Sequence, residues 1–165
     1  MDLITALAIS IALLGGIATF LFLTVGMGLQ IWAAFIGWAA YYHCGGQTKG
    51  LTDAIAGAVW GAAMAAVAFA IMPMLGLPGP LGAAIAVALT VFIMIMGAKV
   101  PLLSSIPAAV YGYASTAALT LAAGSLLKDV GGVMGIPAVS VIVSMIIGVI
   151  FGYISQQLAG ALTKS

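Results

Sequence analysis

The chain carries almost no charge. It has no arginine and no glutamate, and charged residues make up only 4% of its 165 residues. Soluble domains carry roughly 25% charged residues, so this chain cannot cover a water-exposed surface. A formal net charge of +1 also excludes the basic face that nucleic-acid binding requires. The expected partner is the lipid bilayer, and no nucleic acid is expected.

Residues for catalysis and metal binding are equally scarce. The single cysteine, Cys44, cannot form an intramolecular disulfide. His43 precedes it directly, and adjacent residues do not face each other on a helix. Neither residue has a set of metal ligands near it in the sequence. We therefore expect no metal site, no cofactor and no enzymatic activity.

The chain consists mostly of long hydrophobic segments. Hydrophobic residues make up 65% of it, and the mean hydropathy is +1.34. A helix needs about 20 apolar residues to cross a hydrocarbon core of about 30 Å. Charges, glycines and prolines divide the chain into six candidates, at residues 3–24, 28–44, 52–74, 81–99, 101–122 and 136–162. The sequence predicts an all-α membrane protein of six transmembrane helices in one integral membrane domain, residues 1–165.

Charged residues also indicate where helices begin and how they are oriented. Asp2 is placed to cap the first helix, and Asp53 is expected in the first turn of the third, after a loop at residues 43–50. With six spans, three of the four lysines (Lys49, Lys99 and Lys164) share one side of the membrane. Lysine-rich loops are cytoplasmic, so both termini are predicted to be cytoplasmic.

The second span has a counterpart in the other half of the chain. The stretch GLQIWAAFIGWAAYYHCGG (28–46) matches PLLSSIPAAVYGYAS (101–115) when Ile31 is aligned with Ile106. Because each half then has three spans, an odd number, the second half must enter the membrane upside down. This arrangement is the 3+3 inverted-topology repeat of many channels and transporters. Its halves are expected at about 1–75 and 76–165.

Small residues predict close helix packing. The third and sixth spans share the pattern G-x-x-aromatic-G, which also has the G-x-x-x-G spacing that lets helix backbones approach. Aligning these patterns pairs Gly57 with Gly148. A surface this rich in glycine and alanine also favours a homo-oligomer. The residues assigned to helix packing are Ala33, Ala108, Gly57, Gly61, Gly148 and Gly152.

Uncharged polar residues concentrate on the repeated pair of helices. Each charged residue is expected at a span end or in a loop, which disfavours ion-coupled transport. Pro107 is expected to interrupt the fifth helix, and interrupted helices in corresponding positions indicate a transport site. Gly37 and Gly112 are expected near mid-membrane and near each other. The candidate pathway residues are Gln30, Gly37, Ser104, Ser105, Pro107, Tyr111, Gly112 and Ser115.

The segments LQIWAAFIGWAAYYHCGG, PLLSSIPAAVYGYAS and IIGVIFGYISQQLAG together resemble the YcdZ-like family of small bacterial inner-membrane proteins. The resemblance extends over nearly the whole chain. It implies a multi-pass protein of the bacterial inner (plasma) membrane. It supplies no catalytic or binding residues.

Three functions remain open. The first is a passive channel or facilitator for a small neutral or weakly ionised solute, supported by the repeat and its uncharged polar residues. The second is a membrane scaffold or accessory subunit that does not transport. The third, an ion-coupled secondary transporter, is disfavoured by the lack of charge within the spans. A cavity between the second and fifth helices would favour the first over the second.

Overall fold

The computed structural model describes residues 1–131 and 135–163, and every regular element in this part of the chain is helical. Gly132, Val133 and Met134, in the predicted loop before the last helix, and Lys164, one of the topology lysines, lie outside the described residues. Six α-helices follow one another: α1 (Leu3–Val25), α2 (Ile31–His43), α3 (Gln47–Ile71), α4 (Leu81–Met96), α5 (Ile106–Ala123) and α6 (Pro137–Thr163).

Five of these helices are long and apolar enough to cross a membrane, α3 and α4 together with the short 3-10 segments that follow them. The protein is therefore a multi-pass membrane protein. The exception is α2, which has 13 residues. At 1.5 Å per residue it is about 20 Å long, short of the roughly 30 Å hydrocarbon core.

The turn between α2 and α3 is shorter than the loop predicted at residues 43–50. The N–H of Gly45 donates to the Tyr42 carbonyl (3.0 Å), and the N–H of Gly46 donates to the Tyr41 carbonyl (3.1 Å). Both glycines have positive φ, and this helix-ending motif requires it of the first, Gly45. Because the turn is complete at Gly46, α3 begins at Gln47. Asp53 therefore lies in its second turn, and the first-turn position predicted for it is wrong.

Pro107 does not interrupt the fifth helix, so that prediction is also wrong. The proline lies in the first turn of α5, and Ser105 caps the helix by accepting a hydrogen bond from the Ala108 N–H at 3.4 Å. A proline is tolerated there because the first N–H groups of a helix have no partner within it. The helix simply begins later than predicted, after a 3-10 turn at Pro101–Leu103.

The predicted cap of the first helix is confirmed. Asp2 accepts a hydrogen bond from the Thr5 N–H (3.0 Å) and another from the Thr5 hydroxyl (2.7 Å). These two bonds hold the pKa of Asp2 below its ordinary value, and the bond from the Thr5 hydroxyl has the larger effect. The resulting stabilisation of the folded protein is present at a pH above the pKa that Asp2 has in the unfolded chain. It is lost as the pH falls through the lower pKa that Asp2 has in the folded protein.

The helices pack in two main pairs. α2 packs along α6, and α5 packs along α3; α1 lies against α6, and α4 against α3. In the first pair, contacts progress from Gln30–Ser144 to Trp38–Ser155, so α2 and α6 run parallel. α3 and α6 meet at the centre, where Ala58 and Met145 belong to one buried cluster.

Candidate functional site

Each main pair of helices crosses at glycines. A Cβ added to Gly148 on α6 would overlap the Ala34 carbonyl oxygen of α2, and one added to Gly37 would overlap the Met145 carbonyl oxygen. At the other crossing, a Cβ at Gly112 would overlap the Ala58 carbonyl oxygen of α3. The helix backbones are therefore in direct contact at these points, as glycine allows.

Gly37 and Gly112 point at different partners and not at each other. Gly37 faces α6, and Gly112 faces α3. Each of the two glycines thus packs against a helix of the other half of the chain. Ala108 on α5 lies against Gly57, and Ala33 on α2 is buried in the central cluster of Ala58 and Met145.

The glycines of α3 and α6 meet carbonyl groups of α5 and α2 in matching ways. Gly61 meets the Ala109 carbonyl on α5 in the way that Gly148 meets the Ala34 carbonyl on α2. If the two halves form the predicted repeat, these contacts pair Gly148 with Gly61, one helical turn from the Gly57 that the pattern paired with it. Gly152 instead faces aromatic side chains of α2, those of Trp38 and Tyr41.

A hydrogen-bonded layer joins the end of α2 to α6. The Trp38 indole N–H lies 3.1 Å from the Ser155 hydroxyl, the Tyr42 hydroxyl lies 2.7 Å from it, and Ser155 donates to the Gly152 carbonyl at 2.7 Å. Next to it, the side-chain oxygen of Gln156 accepts from the Tyr41 hydroxyl and from the Gln47 N–H, the latter at 2.9 Å. Tyr41 and Ser155 are fully buried.

This layer borders a cavity of about 500 Å³, which we call the glutamine cavity. Three glutamines and a tyrosine supply its polar surface, and leucines of α1 form much of its apolar wall. None of the described lining residues is charged. The lining residues are Leu3, Leu7, Tyr42, Gln47, Gln156, Gln157, Ala159 and Gly160.

A second cavity, the α2–α5 cavity, lies at the opposite end of α2. Its volume is about 380 Å³, and it is bounded by Gln30 just before α2, by Trp32 of α2 and by Ala118, Leu119 and Ala122 of α5. The Gln30 side chain donates to the Gly28 carbonyl (3.1 Å) and accepts from the Trp32 indole N–H (3.1 Å). These bonds hold the Gln30 amide beside the cavity. The helices that the repeat argument singled out thus border an open cavity at one end.

The remaining pathway candidates separate into two groups. Tyr111 lies between α2 and α5, with its hydroxyl 2.9 Å from His43 Nδ1, and Ser105 lies 3.1 Å from the Cys44 sulfur. Both contacts join the start of α5 to the end of α2. Ser104 is exposed in the segment before α5, and Pro107 is partly buried. Neither lines the two cavities described above.

Three buried hydroxyls on α5 have no hydrogen-bond partner within the described part of the protein: Ser115, Thr116 and Thr120. Helical serines and threonines usually bond the carbonyl three or four residues earlier, as Thr19 and Thr90 do here. Thr120 also lines a small cavity of about 90 Å³ beside Phe69. Ser115, a sequence candidate, is therefore part of an unpartnered polar stripe.

We expect Thr116→Val to raise the free energy of unfolding by about 1 kcal/mol, because an unpaired buried hydroxyl is replaced by a methyl group. Thr90→Val should lower it, since the Thr90 hydroxyl bonds the Ala86 carbonyl (2.8 Å) and contacts the Tyr113 hydroxyl (3.0 Å). Thermal unfolding in detergent measures both. A loss of stability in Thr116→Val would contradict the assignment of an unpaired hydroxyl.

The sequence argument missed the polar residues of α6. Ser140, Ser144, Ser155 and Gln156 all bond groups at the ends of α2. The signal was present as Ser155-Gln156-Gln157, a polar triplet near the end of an otherwise apolar helix. Such groups are costly in a bilayer unless they are paired.

One charged residue lies deeper than expected. Asp53 is 9% exposed and pairs with Lys49, one turn earlier on α3. Within residues 1–131 and 135–163, no three His, Cys, Asp or Glu side chains come together to hold a metal ion. The pair lies near the start of α3.

A family model described as a protein of unknown function (DUF1097) matches residues 8–160. No curated protein and no solved structure matches the chain. The matched residues include all or most of each of the six helices and the glycine crossings, but not Leu3 and Leu7 of the glutamine cavity. The chain therefore belongs to the DUF1097 family of proteins of unknown function.

Proposed function

We propose that this protein is a passive channel or facilitator for a small neutral or weakly ionised solute. The observation that carries the proposal is the pair of cavities at the two ends of α2. If α2 lies across the membrane, they open toward opposite faces. Their described linings are uncharged but carry amide and hydroxyl groups, which suits a neutral solute that forms hydrogen bonds.

The proposal includes the 3+3 inverted repeat, with α2 as a short sixth transmembrane helix. In such a repeat, α1, α2 and α3 of the first half correspond to α4, α5 and α6 of the second. The helix packing supports this correspondence, because the α2–α6 pair matches the α5–α3 pair and the α1–α6 pair matches the α4–α3 pair. The contacts of Gly37 with Met145 and of Gly112 with Ala58 exchange in the same way. The pseudo-twofold axis would then pass through the Ala58–Met145 contact, between the two cavities.

The same crossings favour a second candidate, a scaffold or accessory subunit. At Gly37 and Gly112 the helix backbones touch and leave no slot for a solute. In the facilitator proposal this is the closed arrangement, and passage requires α2 to move away from α6. In the scaffold proposal the contact is permanent, and the lipid-facing helices associate with other subunits or with copies of this chain. An ion-coupled transporter remains the least supported.

Flux into proteoliposomes separates these candidates. We expect swelling with urea, acetamide or glycerol to be faster in liposomes that contain the protein than in empty ones. Ala118→Trp, which fills the α2–α5 cavity, should slow the flux severalfold. Ala88→Trp places the same side chain on an exposed position of α4 and serves as the control. Equal swelling with and without protein, for every solute, would leave the scaffold as the better proposal.

We further propose that the protein is a YcdZ-like protein of the bacterial inner membrane with both termini in the cytoplasm. The support is the lysine distribution, with Lys49 and Lys99 on the proposed cytoplasmic side and Lys128 on the other. A reporter that is active only in the periplasm should stay silent when it is fused after Ser165. Strong activity would overturn the orientation.

A further inference from the structure

Hydrogen-bond chemistry fixes the direction of each bond in the layer beside the glutamine cavity. A serine hydroxyl has one proton, and that of Ser155 is donated to the Gly152 carbonyl. Ser155 must therefore accept from the indole of Trp38 and from the hydroxyl of Tyr42. Because the Tyr42 proton is committed to Ser155, its phenol oxygen is left to act as an acceptor.

The same reasoning orients the amide of Gln156. The Tyr41 hydroxyl and the Gln47 backbone N–H both bond its oxygen, and an oxygen in that position can only accept. Flipping the amide would place its NH₂ group against the Gln47 N–H, which can only donate. Its NH₂ therefore has a fixed position, and within the described residues it has no protein acceptor. Gly46 packs against this amide, and a Cβ there would lie 2.8 Å from its nitrogen.

Both free groups belong to side chains that line the glutamine cavity. The lining thus includes a residue with a free donor, Gln156, and one with a free acceptor, Tyr42, beside the apolar Leu3 and Leu7. A matching ligand needs an acceptor, a donor and little charge. The described lining holds no cation for a carboxylate or a phosphate and no anion for an amine. A carboxamide has the required pair, a carbonyl oxygen beside an N–H group.

We propose that the glutamine cavity is a binding site for small primary amides and ureas. The NH₂ group of Gln156 donates to the ligand carbonyl oxygen, and the phenol oxygen of Tyr42 accepts from a ligand N–H. This rests on the proposed function and names its substrate class. The layer of Trp38, Tyr41 and Ser155 holds both groups in position but does not touch the ligand.

Gln156→Glu tests the donor with little disturbance of the fold. A carboxylate still accepts from the Tyr41 hydroxyl and the Gln47 N–H, but it presents an oxygen where the amide NH₂ was. Thr48→Glu is the matched control, because it adds the same charge to the first turn of α3 at an exposed position outside the lining. Detergent melting curves should show that both variants fold.

Protection of a cysteine thiol from labelling measures ligand binding independently of flux. In a Cys44→Ser background, Gln157→Cys places a thiol in the cavity wall, and a methanethiosulfonate reagent reports its access. Acetamide should slow this labelling, about twofold at half-occupancy, whereas acetate and glycerol should not. With Gln156→Glu, the acetamide concentration that halves the labelling rate should rise at least about tenfold. With Thr48→Glu, this concentration should stay unchanged.

The outcomes distinguish the two proposals. Protection by acetamide without flux would support the amide site and overturn the facilitator. Flux without protection would support the facilitator and overturn the amide site. Equal protection by acetate would overturn the ligand class, and protection that survives Gln156→Glu would overturn the role of Gln156.

Discussion

Gly148→Ala is expected to lower the free energy of unfolding by about 3 kcal/mol, at the upper end of the range for overpacking. The added methyl group would occupy the position of the Ala34 carbonyl oxygen. A backbone atom cannot move aside by changing rotamer, so α2 and α6 must separate along the crossing. That separation loses contacts over the whole pair, because close approach of the backbones is what holds such helices together in a membrane.

Gly160→Ala is the matched control in the same helix. Nothing lies within 4 Å of a Cβ added there. The alanine should be neutral or stabilising, because glycine in a helix interior costs roughly 0.5–1 kcal/mol relative to alanine. Unfolding in a mild detergent, followed by circular dichroism, compares the two. Similar stability of both variants would contradict the backbone contact.

The second large effect is expected for Ser155→Ala. Its hydroxyl accepts from Trp38 and Tyr42, and Trp38 is buried. Removing it leaves the indole N–H and the phenol O–H without their acceptor. An unpaired buried donor costs about 1–3 kcal/mol, so we expect a total loss of about 2–4 kcal/mol.

Ser10→Ala provides the comparison for a buried serine. The Ser10 hydroxyl is equally buried but bonds only the Leu7 carbonyl of its own helix, at 3.1 Å. Its loss leaves no donor unpaired, so the effect on the same unfolding measurement should be well under 1 kcal/mol. If the two serines prove equivalent, Ser155 does not organise the end of α2.

The sequence predicted the positions of the helices better than it predicted which helices pack together. Hydropathy and spacing are local properties, so the six helices and the Asp2 cap could be predicted from short windows. The start of α3 was missed because Gly45 and Gly46 complete a turn in fewer residues than their polar neighbours suggest. Pro107 was assigned to a helix interior, although Ser105 as an N-cap residue followed by a proline in the first turn is a typical helix start.

Which helices pack together depends on contacts between residues that are far apart in the sequence. Gly37 and Gly112 are each aimed at a helix of the other half, α6 and α3, and no local pattern specifies this. For the same reason the candidate site was only half predicted. Gln30, a predicted pathway residue, lines the smaller cavity. Gln156 and Tyr42 line the larger one because α2 and α6 run parallel, which the sequence did not indicate.

The short length of α2 has a consequence for the polar groups at its ends. A helix that spans the bilayer reaches water at both ends, and water satisfies its terminal backbone groups. Near the start of α2, the Ser140 hydroxyl bonds the Gly28 carbonyl and the Ser144 hydroxyl accepts from the Gln30 N–H. At the other end, Gln156 accepts from the Gln47 N–H that opens α3. α6 thus takes the place of solvent for a helix too short to reach it.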